Sequence, residues 1–119
     1  MSYDLAVWEG ARPADDAAAL TVFEGLHDQY AGNCGLPPTP RITRYVEALL
    51  ARWPDLSPED EDQDSSPWSD GPLIDNASGP LLYFGMVFSK YQEATTFAAD
   101  LARACGLVCF DPQLERLVG

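Results

Sequence analysis

Apolar positions recur along this chain with two periods, and the switches between them mark its elements. Tyr3 to Trp8 is rich in aromatic and branched residues and stops at Glu9-Gly10. It predicts a first strand with Tyr3, Leu5 and Val7 on one face and Asp4, Ala6 and Trp8 on the other. From Asp15 to about Tyr30 the spacing turns helical, with Leu20, Phe23, Leu26 or His27, and Tyr30 on one side. Asp15 and Asp16 stand where negative charge favours a helix start. After a Gly- and Pro-rich loop over 32–38, Thr39 offers an N-cap and Pro40 the first helical position. Ile42, Tyr45, Val46, Leu49, Leu50 and Trp53 then hold the i, i+3, i+4, i+7 pattern until Pro54 ends the helix.

The next stretch, 54–71, breaks the pattern: it holds three prolines, an acidic run and few apolar residues, and predicts an exposed connection. Leu73 to Asn76 and Leu81 to Phe88 read as two strands around the four-residue connection Ala77-Ser78-Gly79-Pro80. The second is apolar on both faces, which predicts a central position, and its Gly85 suggests a bulge or a close approach. Ser89 and Gln92 fit a capping box for a third helix, whose Ala94, Phe97, Ala98, Leu101 and Cys105 repeat helically before Gly106. Leu107 to Phe110 closes the series as a strand, ended by Asp111-Pro112. The order β, α, α, β, β, α, β predicts one α+β domain over 1–119. Its expected form is a split βαβ arrangement, with a mixed sheet of about four strands and three helices packed mainly on one face.

Composition changes the picture in one respect. The 119 residues include nineteen Asp and Glu against seven Lys and Arg, a formal net charge of -12. A phosphate backbone or an anionic lipid surface repels such a protein, so direct binding to nucleic acid or membrane is not expected. Between Arg52 and Lys90 there is no basic residue. Asp55, Glu59, Asp60, Glu61, Asp62, Asp64, Asp70 and Asp75 therefore form an unopposed block of eight carboxylates. Cys34, Cys105 and Cys109 make no CxxC pair or Cys/His ligand set and read as reduced, buried thiols. The start has no basic and apolar leader, and the longest apolar run, Leu81 to Phe88, is far below the roughly 20 residues of a membrane helix. The expected location is cytoplasmic.

Three kinds of chemistry are open to these residues. The acidic block is either a solvated loop or a docking surface for a basic partner, its core Glu59, Asp60, Glu61, Asp62 and Asp64 joined by Asp70, Asp75 and the loop indole Trp68. Asp60 to Asp64 also puts acids at alternate positions. Yet an EF-hand loop starting there has Ser65 where Gly is required and Gly71 where Glu is required, so no metal or other cofactor is expected. His27, the one imidazole, falls on the apolar side of its helix and reads as structural. Nucleophile elbows, Walker loops and zinc-protease motifs are absent, which argues against an enzyme. The rival reading is a carboxylate-dependent enzyme using some pair among Asp4, Asp75 and Asp111, with or without a divalent ion; these lie in or beside strands and would have to converge at one sheet end.

Tyr3 to Trp8, Pro67-Trp68-Ser69, Tyr83 to Ser89 and Leu107 to Gln113 resemble a group of small acidic bacterial proteins, mostly of unassigned function. The layout is similar to that of small α+β immunity proteins of polymorphic and contact-dependent toxin systems. The resemblance implies a stoichiometric inhibitor held in the cytoplasm that blocks a toxin domain delivered by a neighbouring cell. A basic nuclease domain is the natural target for an acidic inhibitor. A third possibility is a small structural or regulatory partner of some other basic protein.

Overall fold

A computed structural model describes residues 2–30, 37–53, 77–87 and 91–118. The chain forms β1 (Ser2–Trp8), α1 (Asp16–Tyr30), α2 (Pro40–Arg52), β2 (Ala77–Ser78), β3 (Leu81–Val87), α3 (Tyr91–Ala104), β4 (Val108–Asp111) and β5 (Arg116–Val118). The five strands make one sheet in the order β2-β3-β1-β4-β5. This is the expected α+β class, with one strand more than the pattern predicted. β5 is only three residues long and carries no alternation to announce it.

Every neighbouring pair is antiparallel, where a mixed sheet was expected. The reason is β1. It lies between β3 and β4 and runs against both, so the two strands of the β3-α3-β4 crossover point the same way without touching, the split form of the unit. β3 is interior, paired with β2 and β1 as its two apolar faces predict, and β1 is the middle strand of the five. The β1–β3 register runs from Ser2↔Val87 to Trp8↔Leu81 without interruption, so Gly85 faces Asp4 in a regular ladder and no bulge forms.

The alternation in β1 divides the core into two layers. Leu5 and Val7 join Ile42, Tyr45, Val46 and Leu49 of α2 and Ala94, Ala98, Ala99 and Ala102 of α3. Ala6 and Trp8 join Ala19 of α1, Leu81, Val108 and Phe110 on the opposite side. The helices therefore cover both faces of the sheet, which corrects the one-face arrangement. A central strand that is apolar on both sides needs a cover on each. The α1 layer is thinner: Leu20, Phe23 and Leu26 are only partly buried.

Local chemistry sets the helix ends. Asp15 caps α1, its Oδ1 accepting the Ala18 N–H at 2.8 Å. The Thr39 hydroxyl accepts the Ile42 N–H at 3.4 Å and Pro40 opens α2, as its pattern predicts. At the end of α3, Gly106 takes φ +73°, and the N–H groups of Gly106 and Leu107 donate back to Arg103 and Ala102 at 3.1 and 2.8 Å. That pair of bonds is a Schellman termination, which needs the left-handed conformation a glycine adopts freely. Ser89 and the start of the predicted capping box lie outside the described residues.

The hairpin is tighter than the pattern suggested. Ala77 and Ser78 are strand, paired with Leu82 and Leu81, and the turn is Gly79-Pro80 alone. Gly79 at φ +55° followed by a proline gives the sign sequence of a type II′ turn, whose twist matches the strands it joins. The turn also anchors α2: Thr39 N–H donates to Gly79 O at 2.9 Å and Gly79 N–H to Pro37 O at 3.3 Å. Glu9 N–H donates to Pro80 O at 2.9 Å, so the end of β1 is stitched to the same place.

Tyr45 joins α2 to α3 through its buried hydroxyl, which donates to Ala98 O at 2.8 Å. Burial, reinforced by Cys109 and Cys105, holds its phenol well above the ordinary range, so it stays a neutral donor. Tyr45→Phe should destabilise the protein by about 1 kcal/mol, the net worth of one such bond, measured by urea unfolding. An unchanged midpoint would show that the bond adds nothing to helix docking.

Candidate functional site

Of the residues proposed to carry function, Glu59, Asp60, Glu61, Asp62, Asp64, Trp68, Asp70 and Asp75 lie outside the described residues. Asp4 and Asp111 lie within them, and the sheet brings both to one end of the β1–β4 pair. They leave it on opposite faces. Asp111 meets Tyr3, which packs with the α2–α3 layer, and Asp4 meets Tyr83, which packs with the α1 layer.

Asp111 is buried, and both its carboxylate oxygens accept hydrogen bonds. Oδ1 accepts from the Gln113 N–H at 3.0 Å, the Gln113 side-chain amide at 2.7 Å and the Leu114 N–H at 3.2 Å, while Oδ2 accepts from the Tyr3 hydroxyl. Four donors converge on this carboxylate, three sharing Oδ1 and one on Oδ2. The bonds to the next turn make it the organiser of the β4–β5 loop, as Asp at the head of a turn commonly is.

Gln113 explains how the sheet ends. The β1–β4 register pairs Ala6 with Phe110, so Asp4 would next face Pro112, which has no N–H to donate. The Gln113 side chain takes over: its Oε1 accepts the Asp4 N–H at 2.6 Å and its Nε2 donates to Asp4 O at 2.7 Å. The amide thus imitates one more rung of the ladder and ties it to Asp111.

On the other face the Tyr83 hydroxyl donates to Asp4 Oδ2 at 3.1 Å. Burial first, then the charge and hydrogen bond of Asp4, push the phenol up to about 12. Phe23 stacks on Tyr83 with ring centroids 5.7 Å apart, and continues to Phe110 at 5.4 Å. His27 sits edge-on to Tyr83 at 5.4 Å, exposed on the rim of this ring cluster. It is a packing contact at the edge of the core, in line with a structural role for the one imidazole.

Cys109 is buried, and desolvation together with Asp111 raises its thiol to about 12, which keeps it protonated and unreactive. Cys105 is half-buried, and Cys34 lies outside the described residues. Among the described residues no three His, Cys, Asp or Glu side chains gather as a metal site would need, and no helix is long and apolar enough to cross a membrane.

A second feature escaped the sequence pattern. The Arg52 guanidinium lies over the Trp53 ring at 4.4 Å and pairs with Glu93 at 3.3 Å, while Phe97 meets Trp53 edge to face at 5.2 Å. Trp53 had the spacing of a core residue of α2. It ends that helix, half-buried against the core cluster, and is the floor of an open groove against α3. No local sequence signal marks it, because the groove forms only where α2 lies against α3.

The architecture is that of an α+β protein with a split crossover and a helical layer on each face. No family model, curated protein or solved structure matches the chain.

Two predictions test this end of the sheet. Asp111→Ala, which leaves three or four donors unmatched, should cost about 3 kcal/mol in urea unfolding, and Asp111→Asn distinctly less because Oδ1 is retained. Equal losses would mean that packing, not hydrogen bonding, sets the cost. Tyr83 ionises at about 12 in the folded chain and near 10.0 when unfolded, so folding favours its neutral form. The stability it adds is complete below pH 10 and is lost as pH rises towards 12. Tyr83→Phe should flatten the fall in stability over that interval; an identical alkaline profile for both proteins would contradict the assignment.

Proposed function

We propose that this chain is an immunity-type binding protein that neutralises a basic toxin domain, with a nuclease domain as the expected target, by stoichiometric occlusion in the cytoplasm. The observation that carries this reading is the segregation of charge. Eight carboxylates between Asp55 and Asp75 have no basic residue among them, whereas the rest of the chain has a net charge of only -4. Such a block focuses negative potential in one place, speeds encounter with a cationic face and disfavours acidic competitors. Glu59, Asp60, Glu61, Asp62, Asp64, Asp70 and Asp75 are the attracting groups, and Trp68 among them is the anchor that excludes water from the contact.

The separation of Asp4 from Asp111 supports binding over chemistry by that pair. Asp111 is hydrogen-bonded at both oxygens, by the turn at Oδ1 and by Tyr3 of β1 at Oδ2, and Asp4 is held by Tyr83 on the other face of the sheet. Neither arrangement leaves a matched acid and base facing one cleft.

The test is association with a purified toxin domain encoded beside this chain's gene. Replacing Glu59, Asp60, Glu61, Asp62 and Asp64 by Gln or Asn should slow association by about tenfold or more at low salt and flatten its salt dependence, with a smaller effect on dissociation. Unaltered association rates across the salt series would remove the docking role of the block.

A further inference from the structure

The end of α2 and the middle of α3 enclose an open groove of about 380 Å³. Its floor is Trp53 and Phe97, whose rings stand at 79° to each other. Its rim carries Glu93 and Asp100, two turns apart on the same side of α3. Within it the protein displays a recognition event with one of its own residues. The Arg52 guanidinium stacks on the Trp53 face while pairing with the Glu93 carboxylate. Asp100 has no hydrogen-bond or ion-pair partner among the described residues, so the rim holds one carboxylate more than Arg52 can match.

We propose that this groove takes an arginine side chain of the basic partner, a step that rests on the binding role above and gives it a second contact. An aromatic floor accepts the flat guanidinium and its apolar stem. Two carboxylates on the rim meet its donors, and the same two repel an acidic ligand. A lysine ammonium, compact and strongly hydrated, gains less from the ring face. Arg52 occupies the seat in the free protein and competes with the incoming residue.

A short arginine-rich peptide is the probe, and the tryptophan indole N–H signals of the labelled full-length protein are the readout. Trp8 is buried, Trp53 reports the groove and Trp68 reports the acidic block. The peptide should shift Trp53 saturably, and a lysine peptide of equal length should bind there about fivefold more weakly. Arg52→Gln should tighten the Trp53 response about threefold by removing the resident competitor. Arg103→Gln, the same charge change at an exposed site on α3 that does not line the groove, should leave it unaltered. Asp100→Arg, also exposed, should weaken it at least about fivefold. The proposal is overturned if the peptide moves Trp68 alone, if Arg52→Gln weakens the Trp53 response, or if Arg103→Gln tightens it equally. The first of these outcomes would leave the acidic block as the docking surface, whereas a shift of Trp53 alone would retain the groove and remove the block.

Discussion

A single buried carboxylate holds the C-terminal end of this fold in place. Asp111 ends β4, receives two backbone N–H groups of the following turn and one phenol from β1, and through Gln113 reaches the backbone of Asp4. Those contacts join residues more than a hundred positions apart. Pro112 makes them necessary, because its missing N–H stops the β1–β4 ladder where β1 still offers a donor and an acceptor. Burying the carboxylate is tolerable because both its oxygens accept hydrogen bonds.

The two layers over the sheet divide labour. The α2–α3 side is thick, with alanines along α3 allowing close approach and Tyr45 bonding across the two helices. The α1 side is a chain of rings from Trp8 through Phe110 and Phe23 to Tyr83 and His27, open at its rim. Charge follows a different division. The body of the protein is mildly acidic, and most of the excess belongs to the connection between α2 and β2. Packing and internal hydrogen bonds stabilise the described body, whereas the excess charge is set by residue order between Arg52 and Lys90.

Much of the fold was legible in the pattern because its signals are local. The Thr39-Pro40 cap, the unbroken stripe from Ile42 to Leu49, the Gly106 termination and the β3-α3-β4 crossover are each decided by neighbours in sequence, and each has its predicted place. The errors share a different origin. The number of strands, the antiparallel pairing throughout, the Gly79-Pro80 turn and the covering of both faces depend on which distant segments meet. The chain does state that Tyr3 to Trp8 is apolar on alternate sides, but whether both sides are covered follows only from where α1 packs.

The candidate sites divide in the same way. The eight carboxylates of 55–75 and their lack of counter-ions are a property of residue order, complete before any folding. That Asp4 and Asp111 share a sheet end yet face apart is a consequence of β-strand alternation and register, which only the paired sheet defines. The role of Gln113 is hidden still deeper, since a glutamine in a turn is unremarked until the ladder beside it lacks a donor. The groove of Arg52, Trp53 and Phe97 likewise exists only once α2 lies against α3. Composition and periodicity determined the class of fold and the concentration of charge, because both act between near neighbours. Tertiary structure alone decided which polar groups are committed to the fold and which stay exposed, because hydrogen bonds and ring contacts act over a few ångströms, whatever the separation in sequence.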